Sequence, residues 1–269
     1  MMTDRAAPLI ATVILSWQRP DLLRQTIDSY TAWTTVAHRV LLVDNGSDPA
    51  TRDVIAAARD RGAIDRVVWL ADNCGGESLN LLLDDSSAPF LHFSENDLEY
   101  RRGWDLDLLS KFDAFPDLGQ LSVFSAEPES AAGEIGPRHD AMRMERDGRR
   151  VWRAAHNVGT SSVVRREVAD VGVRWHNLEA QGLRWPDDGR FSTDVKAAGY
   201  LVAWNDRHVV TNWGHNVAEW SRRIGYYLAD FGSKPWVGLE GLERMLRAQG
   251  YALDRTPAGA IRGIRPAEP

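Results

Sequence analysis

Leu9–Ser16 (LIATVILS) is a continuous apolar run, and it restricts the chain more than any other segment. A strand of this kind needs cover on both faces, which a parallel sheet clad in helices supplies. The pattern then repeats. Pro20-Asp21 opens a helix with Leu22, Leu23, Ile27 and Tyr30 on one side. Strands are expected at Val40–Val43, Arg66–Leu70 and Phe90–Phe93, with helices around Thr51–Arg59 and Glu77–Leu83 between them. Such alternation builds βαβ units with right-handed crossovers. The expected fold is α/β: one domain with a mostly parallel central sheet flanked by helices.

The second half is less regular. Glu127–Gly148 lacks periodicity and is expected to be an exposed loop. Val151–Arg165 reads as strand, turn and strand, bending at Gly159. Arg190–Ala198 reads as a helix stopped by Gly199, before strands at Tyr200–Trp204 and His208–Thr211. Helices are expected at Val217–Phe231 and Val237–Gln249, and a frayed tail from about Thr256. The organisation is thus a first half over 8–125, a second half of the same domain over 126–254, and a flexible tail over 255–269.

Composition removes several classes of partner. The chain has 269 residues, with 32 Lys+Arg against 38 Asp+Glu and a formal charge of −6. Nucleic acid and anionic membrane surfaces both call for a basic face, so neither is the expected partner. The single cysteine, Cys74, rules out an internal disulfide framework and an all-Cys zinc site, and suits a reducing compartment. No run of 18 apolar residues could span a membrane as a helix. Ala6–Trp17 has the apolar character of a leader core, but Gln18-Arg19-Pro20 stands where a small-residue cleavage site would lie. The segment therefore reads as the first strand, and the cytoplasm is the expected location. Eleven tryptophans could serve the core or cover apolar sugar faces.

Ligands of open α/β sheets sit beyond the carboxyl ends of the strands. Ser16, Asp44 and Asp97, near the ends of three strands, should therefore meet at one rim. Ser94-Glu95-Asn96-Asp97 is the strongest cluster: two carboxylates two residues apart could reach one hard divalent cation, which in turn binds a diphosphate. The plainer reading is a pair of solvated loop acids. Asp44-Asn45-Gly46-Ser47 could offer a carboxylate to a base N–H, or simply form an Asx turn. Asn73-Cys74-Gly75-Gly76-Glu77, with Asn80 beyond, could expose backbone N–H groups to an anion at a helix start. It is neither G-x-G-x-x-G nor G-x-x-x-x-G-K-[ST]. Cys74 has no histidine near it in sequence and reads as packing. Pro186-Asp187-Asp188-Gly189 could supply a general base or only an acidic helix start. His215, in Trp213-Gly214-His215, could be a metal ligand or an ordinary packed histidine.

In this order the segments resemble the nucleotide-sugar glycosyltransferases of family 2, which have the GT-A fold, over about residues 9–215. The resemblance is carried by Val13-Ile14-Leu15-Ser16-Trp17-Gln18-Arg19-Pro20, by Val43–Ser47 (VDNGS), and by Asn73, Gly75, Gly76 and Asn80. It continues in Phe90–Phe93 leading to the "DxD" position, in Arg102-Gly103-Trp104, and in Asp187-Asp188 ahead of Gly199-Tyr200. It implies transfer of a sugar from a nucleoside diphosphate to an acceptor hydroxyl, with a nucleotide-binding first half and an acceptor-binding second half. Asp44 would then read the nucleobase with Ser16 beside it, favouring UDP or dTDP. Arg19, Asn73, Gly76, Glu95 and Asn96 would contribute to the donor site. Asp97 would be the main ligand of a Mn²⁺ or Mg²⁺ ion, with Glu95 through water or the sugar and His215 as a third ligand. Asp188, with Asp187, would supply the base for an inverting displacement. The implied acceptor is a small natural product, an oligosaccharide or a lipid-linked glycan.

The chain departs from the pattern in having Glu-Asn-Asp for Asp-x-Asp and Asp187-Asp188 for Glu-Asp, with Arg190 where another acid is common. Those substitutions leave open a binding protein with a degenerate site. A nucleotidyltransferase would need a Gly-rich basic loop after the first strand, where Ser-Trp-Gln-Arg-Pro stands.

Overall fold

The computed structural model describes residues 7–129 and 140–267. The first half runs β1 (Ile10–Ser16), α1 (Pro20–Trp33), β2 (His38–Asp44), α2 (Pro49–Asp60), β3 (Arg66–Trp69), α3 (Asn80–Asp85), β4 (Phe90–Glu95), β5 (Leu98–Tyr100), α4 (Trp104–Ala114) and β6 (Leu118–Ser125). Then come β7 (Met142–Arg146), β8 (Arg149–Arg153), β9 (Ser162–Arg165), α5 (Arg166–Asp170), β10 (Asn177–Ala180), β11 (Leu183–Pro186), α6 (Asp188–Ala197), β12 (Leu201–Asn205) and β13 (Val210–Asn212). The chain continues through α7 (Val217–Arg222), α8 (Ile224–Ser233), α9 (Gly238–Ala248), β14 (Tyr251–Arg255) and β15 (Ile261–Pro266).

Among the described residues the central sheet has the order β3-β2-β1-β4-β9-β6-β12-β8-β7. β3, β2, β1 and β4 are parallel neighbours, as their apolar runs require. β9 is antiparallel to both β4 and β6, whereas β12 returns parallel to β6. Only β9 and β8 oppose the majority direction, so the sheet is mostly parallel. In register, Ser16 faces Asp44 on one side of β1 and Leu15 faces Glu95 on the other. The carboxyl ends of three strands therefore form one rim.

The core follows the periodicities of the sequence. β1 buries Ile10, Val13 and Ile14 completely, and α1 turns Leu22, Leu23, Thr26, Ile27 and Tyr30 inward. Asp48 caps α2 by accepting from Thr51 N at 2.8 Å, and Pro49 follows in the first turn. Tryptophan divides between core and surface: Trp104, Trp175, Trp204 and Trp220 are buried, whereas Trp33, Trp69 and Trp236 are exposed.

Several expectations need correction. The expected loop over 127–148 contains β7, paired with β8 through a turn at Asp147 and Gly148, while its stretch 130–139 lies outside the described residues. The segment expected as one helix from Val217 breaks at Arg223 (φ −124°, ψ 38°), whose guanidinium pairs with Asp21 at the start of α1. In the segment from Thr256, expected to be frayed, Ile261–Pro266 forms β15 antiparallel to β14, and residues 268–269 lie outside the described residues. Hydrophobic burial explains this: Leu253 joins Trp220, Tyr227, Phe231, Leu242 and Leu246 in a second small core. The strand expected from Phe90 extends through Glu95, so that carboxylate stands on the sheet.

Candidate active site

Trp17, Gln18 and Arg19 make the turn between β1 and α1. Gln18 and Arg19 both adopt left-handed backbone conformations (φ 57° and 58°), which ordinary residues avoid. Asn96 holds this turn. Its Nδ2 donates to the carbonyls of Trp17 and Gln18 at 3.1 and 3.0 Å, and its Oδ1 accepts from Arg19 Nη2 at 2.7 Å. The middle residue of Glu-Asn-Asp thus ties the end of β4 to the end of β1.

Arg19 Nη1 donates to Asp97 Oδ2 at 2.8 Å. The guanidinium lies 5.5 Å from the Tyr226 ring centre and within 3.4 Å of the Tyr227 hydroxyl, both on α8. Glu95 accepts from the Ser161 hydroxyl at 2.9 Å. Its burial, together with the nearby Asp97 charge, pushes its carboxyl up to about 7.

Two cavities meet at this wall. One, of about 190 Å³, is lined by Trp17, Arg19, Asn45, Trp185, Tyr226 and Lys234, among others. The second, of about 430 Å³, contains Asp188, Asn157, Thr160, Phe124 and Trp204. Glu95, Asp97 and His215 line both. The first side carries Arg19, Arg184 and Lys234, paired with Asp97, Glu179 and Asp230 at 2.8, 3.2 and 2.7 Å, whereas Asp188 opens on the second.

Asp188 begins α6. Asn157 Nδ2 donates to its Oδ1 at 3.1 Å, and burial raises its carboxyl above the ordinary aspartate range, with the Asp187 charge adding to the effect. Asp187 itself caps the helix, accepting from Arg190 N at 2.9 Å. The adjacent carboxylates therefore have different surroundings: one ends a helix and the other faces a cavity.

Of the other expected residues, Asn73 lines the first cavity, as does Gly75, whereas Ser16, Asp44 and Gly76 lie outside its wall. Asp44 is wholly buried and accepts from Arg52 Nε at 2.9 Å, while Asn45 faces the cavity in its place. Ser16 is buried beside Asp44, and its hydroxyl has no partner among the described residues. Asn73 Oδ1 accepts from Asn45 Nδ2 and from Gly75 N, at 2.7 and 2.8 Å. Gly75 N, beside Gly76, already donates to Asn73, so the turn offers few unused backbone donors. Cys74 N and Glu77 N are already bonded to Asn45 and Asn177, and a Cβ on Gly76 would lie 2.4 Å from Pro186 Cα. The glycine pair is required by packing against β11.

No group of three His, Cys, Asp or Glu side chains is disposed to hold an ion among the described residues, and Asp97 is turned to Arg19. The donor set nevertheless fits a divalent cation that takes one or two protein ligands and completes its shell from phosphate oxygens. A Cβ on Gly214 would sit 2.1 Å from Asp97 Oδ2, so glycine makes room for the carboxylate, and buried Asn212 Oδ1 nearby has no partner among the described residues. Gly214, Asn212, Asn157 and Ser161 were not evident from sequence spacing. The only hint was the quoted Trp213-Gly214-His215.

The family profile "Glycosyl transferase family 2" matches residues 12–172, more than half the chain. The chain belongs to glycosyl transferase family 2. It is a glycosyltransferase of GT-A fold. A mannosyltransferase of Pyrobaculum calidifontis, solved with GDP-Man and Mn²⁺, aligns at TM-score 0.58 and 12% identity, over 91% of this chain and 69% of that one. S. aureus TarS 1-349, solved with UDP-GlcNAc, aligns at TM-score 0.54 and 11% identity, over 90% and 71%. At these identities the two structures establish the fold. No curated protein sequence matches the chain. The family match ends at residue 172, so the wall carrying Asp188 and His215 lies beyond it.

Proposed function

We propose that this family 2 enzyme moves a sugar from a nucleoside diphosphate to an acceptor hydroxyl with inversion, using Asp188 as the base. The observation that carries the reading is the common wall: Glu95, Asp97 and His215 stand between a cavity lined by Arg19, Arg184 and the Lys234–Asp230 pair and one containing the half-buried carboxylate of Asp188. The diphosphate lies on the side of Arg19, Arg184 and Lys234, with Trp17 and Tyr226 offering apolar ring surface. Asn45 presents a polar edge to the nucleoside, and Asp44 with Arg52 holds that strand end from behind. GDP-Man and UDP-GlcNAc complexes of the structural relatives make both bases worth testing beside dTDP.

Asp97, with Glu95 and His215 beside it, would hold a Mn²⁺ or Mg²⁺ ion. When bound, that ion supplies positive charge against the leaving diphosphate. Asp188 accepts the proton of the acceptor hydroxyl as its oxygen attacks the anomeric carbon. Its raised proton affinity, caused by burial, brings it closer to the working pH of a base. Asn157 fixes the carboxylate through its hydrogen bond. Attack opposite the leaving group inverts the anomeric configuration. In this reading the first half of the domain binds the donor and the second supplies the base and acceptor room.

A thermal-shift panel of UDP-, dTDP- and GDP-sugars with and without Mn²⁺ tests the donor. The expected result is stabilisation by one nucleotide class, larger with metal. NMR of the product anomer tests the displacement, and retained configuration would remove Asp188 from its role.

A further inference from the structure

The Arg19–Asp97 ion pair holds the carboxylate that the proposed donor site needs for its cation. Both side chains are 13% exposed, so the pair is shielded from solvent. Arg19 is gripped on its other amino group by Asn96 and flanked by Tyr226 and Tyr227. A divalent ion at Asp97 would place a second positive centre on a carboxylate already neutralised, in a setting where charge repulsion is poorly screened. Arg19 must then find another anion. Among the described residues its buried Nε has no partner, leaving a donor to be satisfied once the side chain shifts, and the Arg19 side chain lines the same cavity as Arg184 and Lys234. A diphosphate in that cavity offers oxygens suited to a guanidinium fork.

We propose that Arg19 is a tethered counter-cation of Asp97 which the donor diphosphate draws away, so that nucleotide and divalent cation bind with strong positive coupling. The inference rests on the donor reading above. Arg19 is here a positioning residue: it keeps the acid cluster neutralised while the site is free and binds phosphate when the donor arrives. The tyrosine faces of α8 support the guanidinium in both places, which links the second small core to donor binding.

The test is Mn²⁺ binding to the full chain, followed by electron paramagnetic resonance with and without UDP, dTDP or GDP. Wild type is expected to bind Mn²⁺ weakly alone and at least about tenfold more tightly with its nucleotide. Arg19→Met should bind Mn²⁺ alone about tenfold more tightly than wild type and lose most of the nucleotide effect. Arg19→Lys, which keeps the charge but loses the fork, should fall between the two and carries the test if the methionine variant does not fold. If folded variants, checked by circular dichroism, bind Mn²⁺ alone no better than wild type, the inference is overturned while nucleotide binding by wild type leaves the donor reading standing. Wild type that binds none of the three nucleotides with Mn²⁺ overturns the donor reading and this inference together.

Discussion

Asn157 and Asp188 lie 31 positions apart in sequence, yet the amide of the first donates to the carboxylate of the second at 3.1 Å. The bond stabilises the ionised form of a carboxylate that burial pushes toward its neutral form. The balance between these effects sets the pH at which the proposed base is available.

Asp188→Asn is expected to leave donor binding intact and lower kcat by about 10²–10⁴-fold. In wild type, kcat/KM should fall as pH drops through the raised Asp188 value, above the usual aspartate range. Asn157→Ala removes a bond that lowers this value, so the acid limb should move to higher pH. A pH–rate profile of the two proteins checks the direction, and a limb that stays put would separate Asn157 from the base.

Gly214→Ala places a methyl where only 2.1 Å separates it from Asp97 Oδ2. The carboxylate must swing, and displacements of this size in a reacting site cost about 10²-fold. Donor turnover should fall accordingly while the far-ultraviolet circular dichroism is preserved. Normal kinetics would show that the position of Asp97 is unimportant.

Gly76→Ala tests the structural role of the glycine pair. Its Cβ would meet Pro186 Cα at 2.4 Å, and backbone cannot yield as a flexible side chain can. Unfolding measurements should show a loss of about 1–3 kcal/mol. Because β11 leads into α6, kcat should fall with it. A variant of unchanged stability but weakened nucleotide binding would instead support an anion-binding turn.

His92 provides a stability prediction independent of the site. It is fully buried, within 3.2 Å of the Thr12 hydroxyl and 3.3 Å of the Tyr100 hydroxyl, and burial pushes its imidazole down to about 3. A group with a depressed folded value contributes stability above its unfolded pKa of about 6.5 and loses it as pH falls toward 3. The full loss, reached near pH 3, is on the order of 5 kcal/mol. Denaturant titrations between pH 7 and 4 should show a slope that His92→Gln reduces.

The strand-helix alternation of the first half was legible in the sequence because doubly covered strands carry continuous apolar runs and amphipathic helices keep a 3.6-residue period. The rim followed from that order, since parallel strands present their carboxyl ends on one side, as the Ser16–Asp44 and Leu15–Glu95 registers show. The β10–β11 hairpin and β15 carry weaker local patterns, and their pairing depends on neighbours distant in sequence. Side-chain partners were less legible still. Asp44 and Asp97 both stand near strand ends, but Arg52 holds one inside the wall and Arg19 meets the other at the cavity. Asp187 and Asp188 are adjacent in sequence, and only the start of α6 assigns one to a helix cap and the other to a cavity. Local periodicity therefore determined the layers and the rim, because it depends on spacing along the chain. The contents of the site were decided by the tertiary structure, because burial, charge pairing and the room left by Gly214 depend on segments that meet only when the chain is folded.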